Sequence, residues 1–176
     1  PEAVNINVLA TPGIDYVNNQ TLVSEVIDMV EEERGDCLYI TTTPDKPLGA
    51  LDYVDEMYTA DDAADNMLNS EINSTYTATY YPWCKYRDVD NDQYIYLPVT
   101  RDVVRNIAKT DNVAYSWFAP AGYSRGVVDC ENAKKNLLLD EENTLIGGKI
   151  NIVKTFSKIG VKIWSQETLA SDPNST

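Results

Sequence analysis

Apolar and polar residues alternate in VNINVLA, residues 4–10, and the β-branched content of that stretch predicts a strand, which Thr-Pro-Gly then ends. From residue 21 the period changes. Leu22, Val23, Val26, Ile27 and Val30 recur at helical spacing, and Gly35 stands where a helix C-cap belongs. CLYITTT, residues 37–43, reads as a second apolar strand closed by Pro44, completing a β-α-β unit of the usual ~30 residues or more. A crossover helix returns the chain in the same direction, so these strands should pair in parallel.

The rhythm repeats. Residues 51–70 have helical spacing through Leu51, Val54, Met57, Ala64 and Leu68 with an acidic outer face, and a third strand is expected over residues 75–86. A polar turn, a short strand QYIYL and the segment PVTRDVVRNIAKTD follow. In that segment Thr100 is placed to cap a helix that buries Val103, Val104 and Ile107 and carries Asp102 in its first turn. The last third is less regular: GVVDC is strand-like, residues 134–142 suggest a short helix, and KINIVKTF and GVKIWS read as strands. The expected fold is a layered α/β domain over residues 1–176, with a mainly parallel sheet, helices and an added aromatic β-hairpin.

Composition narrows the class. A chain of 176 residues, 43% hydrophobic and 24% charged, is long enough to hide roughly 70% of its unfolded surface in a core of its own. No apolar run approaches the length needed to cross a bilayer, so no membrane partner is expected. The chain begins at Pro1 and ends in ASDPNST, and we read it as a piece of something longer. Cys37, Cys84 and Cys130 lie far apart with no C-x-x-C, which favours free, buried thiols.

Charge is distributed unevenly. Residues 1–65 hold 15 acidic and 2 basic side chains, whereas residues 66–176 hold 13 and 12. An acidic chain without a basic stripe repels phosphate, so nucleic acid is not an expected partner. The acidic half reads as a solvated face, or as a surface matched to a basic partner or neighbouring subunit.

Several motifs suggest chemistry and then fail. Asp88, Asp90 and Asp92 alternate like calcium ligands, but Gln93 and Val99 stand where the loop needs Gly and a bidentate Glu, so DVDND is expected to turn a hairpin. GYSRG, residues 122–126, matches G-x-S-x-G, yet the elbow requires a preceding strand, a following helix and a histidine base, and the chain has no His. Gly147-Gly148-Lys149 lacks the earlier glycine of a phosphate loop and has Ile150 in place of Ser or Thr. No catalytic residue, cofactor or metal is expected. The twelve tyrosines, dense over residues 76–96, read as packing residues.

The order of motifs resembles one family. YYPWCKYRD with a polar turn, YIYLPVTRDVVRNIAKTD, AYSWFAPAGYSRGVV and INIVKTFSKIGVKIWSQETLASDP together resemble the contractile tail sheath protein of bacteriophages. The residues that carry the resemblance are Tyr81, Pro82 and Trp83; Pro98; Thr110 and Asp111; Trp117; Pro120 and Gly122; and Gly160, Trp164, Thr168 and Leu169. It is specific over residues 75–172 and general before that.

The resemblance implies an α/β core of subtilisin-like topology without catalysis, and a structural subunit that polymerises helically around a tail tube. Contraction of that sleeve would drive the tube through a host envelope. Implied partners are other copies, the tail tube protein and the baseplate; the implied location is the virion tail, reached through assembly in the host cytoplasm. Sheath proteins of this kind carry terminal arms and a further C-terminal domain that this chain lacks, so the 176 residues alone are expected to be monomeric. Glu31, Glu32 and Glu33 are candidate interface residues. The alternatives are a sheath subunit of a bacterial contractile injection system (an R-type bacteriocin or type VI secretion), an α/β hydrolase fragment, and a calcium-dependent binding module.

Overall fold

The structure, a computed structural model, describes residues 6–47, 57–115 and 118–171. Strand β1 (Val8–Asp15) starts later than the predicted residues 4–10 and runs on through Thr-Pro-Gly instead of ending there, with its register against the next strand shifting between Ala10 and Asp15. It leads into helix α1 (Gln20–Asp28), which buries Val23 and Ile27. The helix continues as a wider π-helical segment, Met29–Arg34, in which the Gly35 N–H reaches five residues back to the Val30 carbonyl at 2.7 Å. Gly35 then ends it with φ 67°, a left-handed conformation that glycine adopts at no steric cost.

Strand β2 (Leu38–Thr42) follows and pairs with β1 in parallel, Val8 opposite Leu38. Helix α2 is Ala60–Asn69, shorter at its start than the predicted 51–70; Leu51 and Val54 lie outside the described residues. Its beginning is fixed by a capping box. The Thr59 hydroxyl accepts the Asp62 N–H at 3.2 Å, and the Asp62 carboxylate accepts the Thr59 N–H at 2.9 Å.

The predicted strand over residues 75–86 is three pieces. Strand β3 (Thr77–Ala78) pairs with β2, and strand β4 (Tyr80–Tyr81) pairs with a later strand, β8 (Asn151–Phe156), both in parallel. Thr79 between them bonds sideways in both directions: its hydroxyl donates to the Thr41 carbonyl at 3.3 Å and its carbonyl accepts the Asn151 N–H at 2.9 Å. Pro82, which has no N–H for a ladder, follows, and the chain leaves the parallel sheet. The third piece, β5 (Cys84–Asp88), belongs to an antiparallel sheet with β6 (Gln93–Leu97) and β7 (Asn132–Ala133). Between β5 and β6 the Asp88 carboxylate accepts the N–H groups of Asp90 and Asn91 at 3.2 and 3.3 Å, so this aspartate closes the turn.

Helix α3 (Thr100–Val113) begins at Thr100 itself, with Val99 at the cap position and no side-chain cap bond, so Thr100 is not the cap the sequence suggested. It buries Val103 as expected, together with Asp102, Asn106 and Thr110. A short helix α4 (Gly122–Arg125) follows, and α5 (Leu139–Gly147) starts later than the predicted 134–142. Lys134 is already committed elsewhere: its N–H donates to the Trp83 carbonyl at 2.8 Å and its ammonium pairs with Asp45. The GVVDC stretch forms no strand, only a bridge from Val127 to Lys162. Strand β9 (Gly160–Ile163) pairs antiparallel with β8.

Counting β3 and β4 as two halves of one strand, the main sheet runs β1-β2-β3/β4-β8-β9, parallel except for β9. Alternation sorts its side chains onto two faces. Tyr39, Tyr81 and Ile152 enter one core with Val23, Ile27 and Val30 of the α1 segment, Ala63 and Met67 of α2, and Leu145 of α5. Their neighbours Ile40, Tyr80 and Val153 enter a second core with Val99, Val103 of α3 and Tyr86 of β5. Each fully buried aliphatic side chain of this kind contributes about 1.5–3 kcal/mol. Helices α1, α2 and α5 therefore form one layer, and α3 with the small antiparallel sheet forms the other.

Candidate assembly interface

The crevice at the carboxyl ends of the strands is where open α/β sheets usually bind ligands. Here it is a cleft of about 570 Å³ lined by Asp15, Asp45, Trp83, Tyr94, Tyr96 and Lys134, among others. Its polar groups are largely turned inward. Asp15 accepts the N–H groups of Val17 and Asn18 at 2.9 and 2.7 Å, and Asp45 is buried against Lys134, whose ammonium also lies 5.1 Å from the Tyr96 ring. One Asp45 oxygen is without a partner. None of these groups pairs a nucleophile with a base.

Ser124 of GYSRG is exposed within α4 and follows no strand. With no His in the chain, these residues assemble no imidazole-assisted hydrolase. Gly148 and Lys149 lie at the C-terminal end of α5, the negative end of a helix dipole and so the wrong end for phosphate, and Lys149 pairs with Glu167 at 3.5 Å. Among the described residues, no three acidic or cysteine side chains gather as a metal set.

The motif residues fall into separate structural groups. Tyr81 is buried, and its hydroxyl donates to the Tyr58 carbonyl at 2.8 Å; the Tyr81–Pro82 peptide is cis; Trp83 Nε1 donates to the Thr43 carbonyl at 2.9 Å. Pro98 precedes α3, and Thr110 near its end donates to the Asn106 carbonyl at 2.7 Å while Asp111 accepts from Asn7 at 3.5 Å. Trp117 lies outside the described residues. Pro120 is buried, and Gly122 opens α4 with φ 88°. Gly160 turns β8 into β9 with φ 84°. Thr168 has a buried hydroxyl without a partner, and Leu169 is buried with its N–H on the Thr77 carbonyl at 2.9 Å.

Two of these groups meet at the surface. Trp164, beyond β9, packs against Tyr123 of α4 and Phe156 of β8, with ring centroids 5.1 and 4.9 Å away. Tyr123 and Phe156 close the triangle at 5.2 Å. Tyr123 is 54% and Trp164 38% exposed, so the cluster presents aromatic surface to solvent. The sequence reading picked out Trp164 and missed its two partners, because α4 and the β8–β9 hairpin are far apart in the chain.

Burial shapes the titration of the interior. Asp102, fully buried, accepts the Tyr86 hydroxyl at 2.6 Å, an Arg105 nitrogen at 2.7 Å and the Asp129 N–H at 3.3 Å. Burial, and then the hydrogen bond to Asp102, push the Tyr86 hydroxyl up; burial does the same to Tyr16, Tyr80 and Tyr81. Contact with Cys130 and then burial raise the Cys84 thiol, which makes it a poor nucleophile.

Charge divides by layer. The helical segments Gln20–Arg34, Ala60–Asn69 and Leu139–Gly147 hold 11 carboxylates and one basic residue, Arg34. Across the sheet, α3 holds three basic residues and two acidic ones, one of them the buried Asp102. Glu31, Glu32 and Glu33 sit on the π-helical segment of the acidic layer, with Glu32 and Glu33 exposed.

No family model matches the chain. The tail sheath protein of Enterobacteria phage T4 is 27% identical over 177 aligned positions, which cover 91% of this chain and 25% of that protein. The helical sheath of the anti-feeding prophage in its contracted state superposes with a TM-score of 0.67 at 18% identity, over 98% of this chain and 42% of that one. The contracted sheath of an extracellular contractile injection system, PVC, gives 0.66 at 19% identity, over 97% and 42%. The fold is that of contractile sheath proteins. The likeness extends to sequence in the T4 protein, and the chain spans about a quarter of that protein's length. A chain of the anti-feeding prophage baseplate structure has the same fold at a TM-score of 0.68, at 18% identity over 99% of this chain and 41% of that one.

Proposed function

We propose that this chain is the α/β module of a structural subunit of a contractile tail sheath, one that polymerises helically around a tail tube and shortens to drive the tube through a host envelope. The observation that carries the reading is the coincidence of two independent likenesses, the T4 sheath sequence and the sheath fold, over nearly the whole chain. The site chemistry agrees with it. Polar groups in the crevice are tied to one another, the GYSRG serine has no imidazole, and the apolar surface that remains suits protein contact.

In this reading the parallel sheet follows a subtilisin-like topology without its catalysis, residues 1–176 form one domain, and the β5–β6 pair is an aromatic hairpin added to it. The motif residues Tyr81, Pro82, Trp83, Pro98, Thr110, Asp111, Trp117, Pro120, Gly122, Gly160, Trp164, Thr168 and Leu169 have structural roles. Glu31, Glu32 and Glu33 face a neighbour. Partners are further copies, the tube protein and the baseplate, with neither nucleic acid nor membrane involved; assembly occurs in the host cytoplasm, and the product resides in the virion tail. Energy for contraction comes from subunit interfaces that improve in the short state.

A second reading is a sheath subunit of a bacterial contractile injection system. It is favoured by the fold shared with the anti-feeding prophage and PVC sheaths. Genes adjacent to this one separate the two: capsid genes indicate a phage, and their absence an injection system. The sheath reading itself is tested by electron microscopy of the full-length protein expressed alone, in which tubular polymers are expected and dispersed particles contradict it.

A further inference from the structure

Two of the three cysteines are brought together by a slip in a strand ladder. The Lys134 N–H reaches the Trp83 carbonyl at 2.8 Å and Cys84 stands opposite Ala133, so β5 and β7 begin in regular antiparallel step. At Lys85 the step changes. Its partner in register is Asn132, yet its carbonyl takes the N–H of Glu131 at 2.9 Å, so two residues of one chain segment face one of the other, which is a β-bulge. Glu131 and Asn132 both stay exposed, and alternation resumes one residue out of phase. In unbroken register Cys130 would fall opposite Arg87, on the outer face with Lys85. The extra residue turns it instead to the side of Cys84, Tyr86 and Ala133, in the core beneath α3.

Both thiols are held where they lie. Cys84 sits in the middle strand of the small sheet, between Leu97 and Ala133. Cys130 is fixed on each side, by the Asp129 N–H on the buried Asp102 carboxylate at 3.3 Å and by the Glu131 N–H on Lys85. Their side chains are in hydrogen-bonding contact. They differ in access, since Cys84 is fully buried and Cys130 only half-buried. Cys37 is buried in the core on the other face of the main sheet, away from this pair.

We infer that Cys84 and Cys130 are a redox-sensitive pair, with Cys130 as the entry point, which closes into a disulfide when the protein meets a small oxidised thiol such as glutathione disulfide. The inference is independent of the sheath reading. In the first step the Cys130 thiolate attacks one sulfur of glutathione disulfide, forms a mixed disulfide and expels one glutathione thiolate. In the second, Cys84 gives up its proton and attacks the Cys130 sulfur; the bond to glutathione breaks as the Cys84–Cys130 bond forms, and a second thiolate leaves. Two protein thiols are oxidised, one glutathione disulfide is reduced, and the two cysteine protons end on the two glutathione thiols. The Cys130 contact and then burial hold the Cys84 proton tightly, so the second step is the slow one and quickens as pH rises. The closed pair fastens β5 to the segment that Asp102 ties to α3. A thiol-rich interior keeps the pair open, and an oxidising exterior closes it.

The test treats the folded full-length protein with glutathione disulfide, blocks the remaining thiols with N-ethylmaleimide in denaturant, and digests the product without reduction for mass spectrometry. The expected result is a peptide pair joined through Cys84 and Cys130, lighter by two hydrogens than the separate peptides, with loss of blocking at both residues while Cys37 is blocked. Dithiothreitol should return both thiols. Cys84→Ser is expected to stop with glutathione carried on Cys130, and Cys130→Ser to leave Cys84 unmodified. The geometric control is the same treatment of unfolded protein: Cys84 is 47 residues from Cys37 and 46 from Cys130, so an unfolded chain should pair it with either alike. Both cysteines blocked after prolonged treatment, glutathione retained on Cys130 of the unmodified protein at raised pH, or a preference for the Cys84–Cys130 bond that survives unfolding would overturn the inference. The bond is read on unmodified protein, so a variant that fails to fold does not decide the outcome.

Discussion

The side chain of Asn151 takes both backbone groups of Glu167: its amide donates to the Glu167 carbonyl at 2.7 Å, and its oxygen accepts the Glu167 N–H at 2.6 Å. Asn151 is fully buried at the start of β8, so it acts as one rung of a ladder that holds the segment after β9 against the sheet. Asn151→Ala leaves buried backbone groups without partners and should lower stability by about 1–3 kcal/mol. Denaturant titration is expected to show a lower midpoint at unchanged slope.

Gly126 lies against β9 so closely that a Cβ there would sit 2.4 Å from the Ile163 carbonyl oxygen and 2.9 Å from Gly122 backbone atoms. The Ile163 N–H donates to the Gly126 carbonyl at 2.7 Å, and this contact covers part of the outer edge of β9. Gly126→Ala should cost about 1–3 kcal/mol by overpacking. Gly147→Ala is the control, since nothing lies within 4 Å of its Cβ position, and its melting temperature is expected to be unchanged or slightly raised.

Tyr86 and Asp102 join the antiparallel sheet to α3 through a 2.6 Å hydrogen bond in a buried setting. Tyr86→Phe removes a bond to a charged acceptor and should cost about 1.5–3 kcal/mol. Asp102→Ala should cost more, because the Tyr86 hydroxyl and the Asp129 N–H then lose their acceptor together and Arg105 loses its closest carboxylate. A double-mutant cycle measured by thermal melts is expected to give a coupling free energy of the same sign and similar size.

Stability should fall at both ends of the pH scale. Backbone and side-chain hydrogen bonds from Thr59 hold Asp62 below its ordinary value of 3.8, and the Leu138 N–H with Lys135 holds Glu141 below 4.5. A depressed folded pKa means that the unfolded chain takes up protons first, so this contribution is present above about pH 5 and is lost as pH falls through about 4 and below. Tyr16, Tyr80, Tyr81 and Tyr86 are raised from 10.0, so the unfolded chain releases their protons first and stability falls as pH rises past about 10. Melting temperature is expected to be level between these limits. Thr59→Ala, which removes a cap worth about 1 kcal/mol, should also reduce the acid dependence.

Local patterns in the sequence carried the strands β2, β8 and β9 and helix α1 with its Gly35 cap, because each has a clear period and a strong stop signal, whereas β1 overlaps its predicted span only at residues 8–10 and runs through the Thr-Pro-Gly that was expected to end it. The division of residues 75–86 was not legible. It depends on Thr79 bonding to Thr41 and Asn151, strands distant in the chain, which no local period records. The late start of α5 has the same origin, since Lys134 is held by Trp83 and Asp45. The acidic helices were visible as composition, but the aromatic cluster of Tyr123, Phe156 and Trp164 arises only when α4 closes on the β8–β9 hairpin.

The central claim is that this module works by packing against copies of itself and transforms no substrate. Helical reconstruction of the assembled full-length protein by cryo-electron microscopy tests it most directly. The account predicts a hollow tube whose wall contains this α/β module, each copy touching its neighbours. A protein that stays dispersed, or a tube in which the module hangs free of every other copy, would contradict it.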